Sequence, residues 1–308
     1  MDEGELIAER RRLKRSRSLW RGAAILVAAA TIAVAAGGSD LARSYQPYIA
    51  ELRLSGVIVD DSELVEALAD AMASHNAKAL VLRIDSPGGT VVGGESFFRA
   101  VRAVAADKPV VAVLGEVAAS GGYMVAIAAD HIVAREGTIT GSIGVLMQTA
   151  DVTGLLGKLG VVPETIKSAP LKAVPSPFEA LTEEGRAATR LLVDDMYDMF
   201  VGMVADRRNF DRQTALKLAD GRVYTGRQAK ANGLVDALGG IGEARDWLAT
   251  KGVDGDLPMR EIRVWRDEPL LGGIARSAVS AMFGKTYLPE RLRLDGLVAV
   301  WHPDLRLR

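Results

Sequence analysis

Ala79-Leu80-Val81-Leu82-Arg83-Ile84 is a nearly continuous apolar run, broken only by Arg83. A strand with one wet face alternates with a period of two, so a run this unbroken predicts a strand buried on both faces. Asp85-Ser86-Pro87-Gly88-Gly89 follows and reads as a Gly-rich turn. A helix is predicted from about Gly94 to Ala106, then a second buried strand over Val110 to Leu114. Strand, turn, helix and strand in this order imply a parallel α/β core with right-handed crossovers.

The flanking segments fit the same architecture. Ile49 to Val59 alternates as a strand, and Asp60 or Asp61 caps a helix to about Ser74 with Leu64, Val65, Leu68 and Met72 on one face. The second half is more helical. Thr182 caps a long helix whose first turn holds Glu183 and Glu184, with an apolar stripe predicted at Ala188, Leu192, Met196, Met199 and Met203. Asp211 to Ala219 and Thr225 to Asn232 read as short helices, with Gly221 and Gly233 as stop signals. Past about Gly252 the pattern weakens, and Leu270 to Phe283 reads as a docking or surface helix without an assigned task.

The N-terminus is set apart. Arg10 to Arg17 reads RRRLKRSR, and the uncharged stretch Gly22 to Gly38 follows. Its length is near the lower limit for crossing a bilayer core. Basic residues before it and only Arg43 soon after it predict a cytoplasmic N-terminus, with the rest of the chain on the outer face. The competing reading is a cleavable signal peptide, with Ala33-Val34-Ala35 resembling a cleavage site. The chain therefore divides into a basic N-terminus (1–21), an anchor (22–38), a linker (39–48), a main domain (49–252) and a C-terminal extension of unknown role (253–308).

Composition removes several chemistries. The chain has no cysteine, so disulfides, thiolate zinc sites and cysteine nucleophiles are excluded. A net charge of -1 and 5% aromatics argue against nucleic-acid binding by a basic or stacking surface. Only His75, His131 and His302 are present, too dispersed for a zinc motif, and no cofactor or metal site is expected.

The main chemical signal is Ala118-Ala119-Ser120-Gly121-Gly122-Tyr123, between a buried strand and an apolar helical stretch. Small residues there let the backbone turn sharply and a substrate approach. A serine at a helix start has free N–H groups nearby, as stabilisation of a tetrahedral oxyanion requires. Gly88 and Gly89 end another buried strand, where ligands gather in open α/β sheets. His131 is expected at the start of a strand and facing away from the serine, so a histidine triad is disfavoured. A lysine base is the known substitute, provided it is desolvated or placed near another cation. Lys167 and Lys172 are both available in Ile166 to Pro177, and Lys172 is placed among Pro, Leu, Ala and Val.

Several separated motifs resemble the short form of signal peptide peptidase A, a membrane-bound family of Ser-Lys peptidases with a fold like Clp protease and crotonase. They are Asp85 to Gly89, Ala119 to Tyr123, Thr140-Gly141-Ser142-Ile143-Gly144-Val145, Ile166-Lys167-Ser168 and Ala219 to Ala229. The resemblance implies Ser120 as nucleophile, Lys172 as general base, Ser142 as the hydroxyl that holds the lysine, and the N–H groups of Gly89 and Gly121 as the oxyanion hole. Ala173 departs from the pattern, since relatives often carry Asp there, and Pro170 and Pro175 flank the site unusually.

The resemblance further implies a homo-oligomer whose sites are shared between subunits. Its expected substrates are remnant signal peptides or other unfolded apolar peptides. Its expected location is a bacterial inner membrane, single-pass, with the catalytic domain on the periplasmic side and the lipid bilayer as a partner. Alternatives are another exported Clp-class Ser-Lys peptidase, a crotonase-like acyl-CoA enzyme, or a non-catalytic membrane scaffold.

Overall fold

A central strand, β2 (Ala77–Thr90), carries the apolar run and organises the sheet. It pairs in parallel with β1 (Tyr48–Ile58) on one side and with β3 (Val110–Ala119) on the other. The computed structural model describes residues 20–28, 31, 46–264 and 297–300. Residues 1–47 and 48–308 form separate units. In the first, residues 20–28 are helical, and the anchor expected over 22–38 otherwise lies largely outside the described residues. Among the described residues no helix is long and apolar enough to cross a membrane.

Both faces of β2 are buried, and alternation assigns them. Leu80, Leu82 and Ile84 enter the larger core cluster, whereas Ala79 and Val81 join a smaller one with Val111, Val113, Val133, Ala244 and Leu248. Burying each Leu or Val contributes roughly 1.5–3 kcal/mol before entropy is counted. The first two helices after β1 and β2 pack on the larger face. α1 (Ser62–Ala73) is capped by the Asp61 side chain and buries Leu68 and Met72. α2 (Val91–Ala105) is capped by Thr90.

Asp85 to Gly89 differs from the expected turn. These residues stay within β2, because β1 continues beside them through Val57↔Gly88 and Ile58↔Gly89. The helix α2 consequently starts at Val91, earlier than predicted. β3 instead leaves β2 after Ser86↔Ala118 and leads directly into α3 (Gly121–Ala126). The edge of β2 freed by that departure is covered by β10 (Leu297–Val300), antiparallel over Gly88 to Thr90. β10 pairs along its other edge with β6 (Leu146–Met147).

Among the described residues the remaining strands extend this sheet to ten. β4 (His131–Ala134) lies beside β3, and β8 (Ala237–Leu238) beside β4. β5 (Ile139–Gly141) joins the far end of β3 and takes β7 (Val223–Thr225) antiparallel. β9 (Met259–Glu261) pairs with β1, so residues beyond 252 take part in the sheet at both β9 and β10. Leu270 to Phe283 lies outside the described residues.

Among the described residues of the larger unit the other helices are α4 (Thr153–Lys158), α5 (Glu183–Arg208), α6 (Arg212–Leu218), α7 (Gly226–Ala231) and α8 (Ile241–Thr250). Thr182 caps α5 as expected, and the predicted stripe holds only toward the C-terminus, where Met203 packs on the core and Met196 and Met199 are half-buried. Gly185, Phe200, Val201 and Val204 are buried, whereas Ala188 and Leu192 are exposed. Only the C-terminal half of α5 meets the core, so a stripe drawn along the whole helix overstates the contact.

Candidate active site

Ser120 sits at the junction of β3 and α3, 2% exposed. Its backbone has φ 54° and ψ -118°, a conformation that a side chain disfavours. Two hydrogen bonds hold it there. The Ser120 N–H donates to Gly141 O at 2.8 Å, and its carbonyl accepts from the Met124 N–H at 2.9 Å, closing the first turn of α3. The Ser120 side chain does not cap the helix.

The glycines beside it make close backbone approach possible. A Cβ on Gly122 would stand 2.9 Å from Ser86 O, and one on Gly94 would stand 2.9 Å from Met124 Sδ. A Cβ on Gly89 would lie 1.6 Å from Ile58 O, so no side chain fits at that position while β1 and β2 stay paired. Ser86 binds the Gly88 N–H through its hydroxyl at 3.1 Å, fixing the end of β2. Asp85 adds a cross-strand tie, its carboxylate accepting from the Val117 N–H at 3.1 Å. Gly89 on β2 and Gly121 on α3 therefore flank the point where β2 and β3 separate.

Ser142 follows directly on the residue that binds Ser120. Its own φ is 49°, and its N–H donates to Arg222 O at 2.8 Å. Gly141 has φ 82° and packs so close to Tyr224 that a Cβ would approach its ring at 2.7 Å. The motif Ala219 to Ala229 thereby acquires a physical task. β7 backs Gly141, Arg222 holds Ser142, and a Thr225–Gln228 capping box starts α7. Beyond Ser142 an open cavity of about 420 Å³ is lined in part by Ile143, Val145, Val193 and Tyr197, with Arg190 and Asp194 at its wall.

Lys172 stands in the irregular segment between α4 and α5. The backbone turns there, with the Lys172 N–H on Ala169 O at 3.0 Å and Ala173 at φ 60°. The side chain is exposed, in contrast to the desolvation anticipated from its apolar neighbours. Of those neighbours Leu171 and Ala173 are exposed and Val174 is half-buried, and farther along the segment Ile166 is 95% exposed. Lys167 is different, since its side chain is largely buried and ion-paired with Glu179. That pair was not foreseen, although Glu179 two residues past Pro177 was visible in the sequence.

Tyr123 and His131 take structural places. Tyr123 is fully buried and donates to Leu234 O at 2.7 Å; desolvation pushes its pKa well up. His131 opens β4 and stacks on Trp247, ring centroids 5.0 Å apart. Burial lowers its pKa, against the opposing pull of Asp236. Among the described residues no group of three or more His, Asp or Glu is gathered to hold a metal ion.

Residues 102–254 match the model of peptidase family S49. A Synechocystis protein named as a candidate protease is 40% identical over 212 residues, covering 68% of this chain and 76% of that one. Protease 4 of Salmonella typhi is 33% identical over 255 residues, 80% of this chain and 40% of the relative. A protein of Enterococcus faecium named as a candidate signal peptide peptidase SppA is 36% identical over 214 residues, 65% of this chain and 62% of the relative. The chain thus spans less than two thirds of the length of the latter two.

Proposed function

Because the chain belongs to peptidase family S49 and is a serine protease, we propose that Ser120 is its nucleophile and Lys172 its general base. The observation that carries this reading is the placement of Ser120. It is a buried serine, held at positive φ where β3 leaves β2 and followed at once by Gly121 at the start of α3.

In the proposed reaction the Lys172 amine takes the hydroxyl proton as Ser120 Oγ bonds to a peptide carbonyl carbon. The Gly89 and Gly121 N–H groups stabilise the resulting oxyanion. The C–N bond then breaks, and the protonated lysine returns its proton to the leaving amine. Water, deprotonated by the same lysine, attacks the acyl-enzyme, and Ser120 leaves with the proton. Ser142 accepts the task of orienting the lysine.

An amine acts as a base only when removed from water or set beside another cation. Lys172 and its neighbours Leu171 and Ala173 are exposed in one chain. This favours a homo-oligomer in which the segment carrying Lys172 is covered by, and serves, an adjacent subunit. Exposed apolar side chains on α4 and α5 (Leu155, Leu191) support the same reading.

The core is read as Clp protease/crotonase-like, spanning 49–252, with residues 22–38 as a single-pass anchor at a bacterial inner membrane and the catalytic domain outside. The substrates are taken to be remnant signal peptides or other unfolded apolar peptides. An extended peptide would add as a strand along Gly88 to Thr90, the edge that β10 covers here, so release of the C-terminal residues precedes substrate entry. Peptide hydrolysis by Ser120→Ala and Lys172→Ala tests the assignment. Both should lose turnover while remaining folded, and near wild-type turnover in either would refute it.

A further inference from the structure

The far end of α3 is held by two arginines from other helices. Beyond Ala126 the chain has three successive carbonyls, and each receives a guanidinium N–H. Arg207 of α5 donates to Ile127 O at 2.9 Å and to Ala129 O at 3.0 Å. Arg102 of α2 donates to Ala128 O at 2.9 Å. Ile127, Ala128 and Ala129 are all buried, so these carbonyls have little access to water. Leaving such acceptors unpaired would be costly.

Asp130 joins the two guanidiniums to the start of β3. Its carboxylate lies 3.2 Å from Arg102 and 3.8 Å from Arg207, and it accepts from the Val110 N–H at 3.1 Å. The Asp130 N–H in turn donates to Val110 O at 2.9 Å. β3 and α3 thus form one folded-back unit with Ser120 at its apex and its two open ends pinned together.

Arg102 also relates the two glycines of the proposed oxyanion hole. α2 begins two residues after Gly89, and α3 begins at Gly121. Near their starts the helices touch through Gly94, where a Cβ would lie 3.7 Å from Gly121 Cα. At their other ends Arg102 binds Ala128 O. The pair is therefore fixed at both ends, which sets the axial position of α3 against α2. The unfavourable backbone at Ser120 gives this a purpose, because such a conformation persists only where its surroundings over-determine it.

We propose that Arg102 and Arg207 are positioning residues for peptide hydrolysis, a proposal that rests on Ser120 as nucleophile. By holding the carbonyls of residues 127–129 they set where Ser120 and Gly121 stand relative to Gly89. A displacement of about 1 Å at a reacting centre can cost about 100-fold in rate.

The test uses the full chain in its native membrane or detergent state. Arg102→Met and Arg207→Met are measured beside Ser120→Ala, with Arg99→Met on the exposed face of α2 as control. Circular dichroism reports the fold, and fluorophosphonate labelling counts competent serines. Per labelled site, kcat should fall about 10- to 100-fold with KM within about 2-fold. Arg102→Lys and Arg207→Lys, which keep the charge but lose the guanidinium fork, should recover part of that loss and serve if the Met variants do not fold. Arg99→Met should match wild type.

Wild-type kcat per labelled site in a folded Met or Lys variant, with Ser120→Ala inactive, overturns the clamp alone. A rise in KM at constant kcat overturns it too. An active Ser120→Ala protein removes the nucleophile reading and the clamp with it.

Discussion

The Ser120 N–H donates to Gly141 O at 2.8 Å, so the candidate nucleophile is tied through its own backbone to the residue before Ser142. β5 exists to make this tie. It pairs Ala118 and Ala119 of β3 with Thr140 and Gly141, and the Thr140 hydroxyl adds a bond to Ala118 O at 2.7 Å. Two distant sequence motifs thus meet at one backbone turn.

The two lysines of the segment before α5 should behave differently on replacement. Lys167 is committed to Glu179, a pairing that holds the segment together. Lys172→Met should lower turnover by about three or more orders of magnitude, as loss of a catalytic base does. Lys167→Met should leave turnover within about 10-fold, with its deficit seen mainly in stability. Steady-state peptide hydrolysis separates them, and the reverse ranking would transfer the base to Lys167.

If sites are shared, subunits lacking different groups complement one another. Co-expressed Ser120→Ala and Lys172→Ala chains should regain a measurable fraction of wild-type hydrolysis, although neither is active alone. Absence of activity in purified mixed oligomers would mean that each site is built within one chain.

The edge at Gly88 to Thr90 offers a direct competition. β10 covers it in this chain. A chain ending at residue 296 should therefore hydrolyse an unstructured peptide faster than the full chain, and an added peptide matching residues 297–308 should slow it. A truncated chain no faster than the full one would argue against the edge as the route of entry.

Gly226 starts α7 where a Cβ would stand 1.9 Å from Arg135 O. Gly226→Ala should destabilise by roughly 1–3 kcal/mol or more through forced repacking. Urea unfolding followed by circular dichroism reads this directly, and an unchanged midpoint would show that the contact relaxes freely.

Stability should also fall on mild acidification. Burial lowers the His131 pKa, with Arg208, Lys230 and Lys251 acting the same way against Asp236. The folded state therefore disfavours the imidazolium. Stability is fully present above the unfolded value of about 6.5 and is lost as pH falls from there toward the lower folded value. Asp236 acts at lower pH. Burial opposes its charge, but the Arg208 hydrogen bond and charge override this and hold its pKa below the usual range, so its contribution is lost only on stronger acidification. His131→Gln should flatten the thermal midpoint between about pH 7.5 and 5.5. An unaltered pH dependence would exclude His131 as its source.

Much of the core was readable because burial on both faces leaves no ambiguity in a run such as Ala79 to Ile84. The tight junction around Ser120 was readable because small residues such as Gly121 and Gly122 are needed where another strand or helix comes close. Asp85 to Gly89 misled, since the Gly-rich composition of a turn is also that of a strand with close neighbours, and the neighbour, Ile58, is far away in sequence. The stripe on α5 held only at its C-terminal end for a related reason: periodicity shows which residues share a face, not how far the partner extends. Lys172 was singled out by resemblance, because neither its local sequence nor its exposed position in the chain marks it as a base. The arginines at the end of α3 carried no local signal, because Arg102 and Arg207 converge only after α2 and α5 are packed.

A high-resolution structure of the assembled protein, with Ser120 left intact, measures the central claim most directly. The Lys172 Nζ of one subunit should lie about 2.6–3.2 Å from the Ser120 Oγ of its neighbour, shielded from solvent and within reach of Ser142. Lys172 remaining in open water and away from every Ser120 would contradict the account.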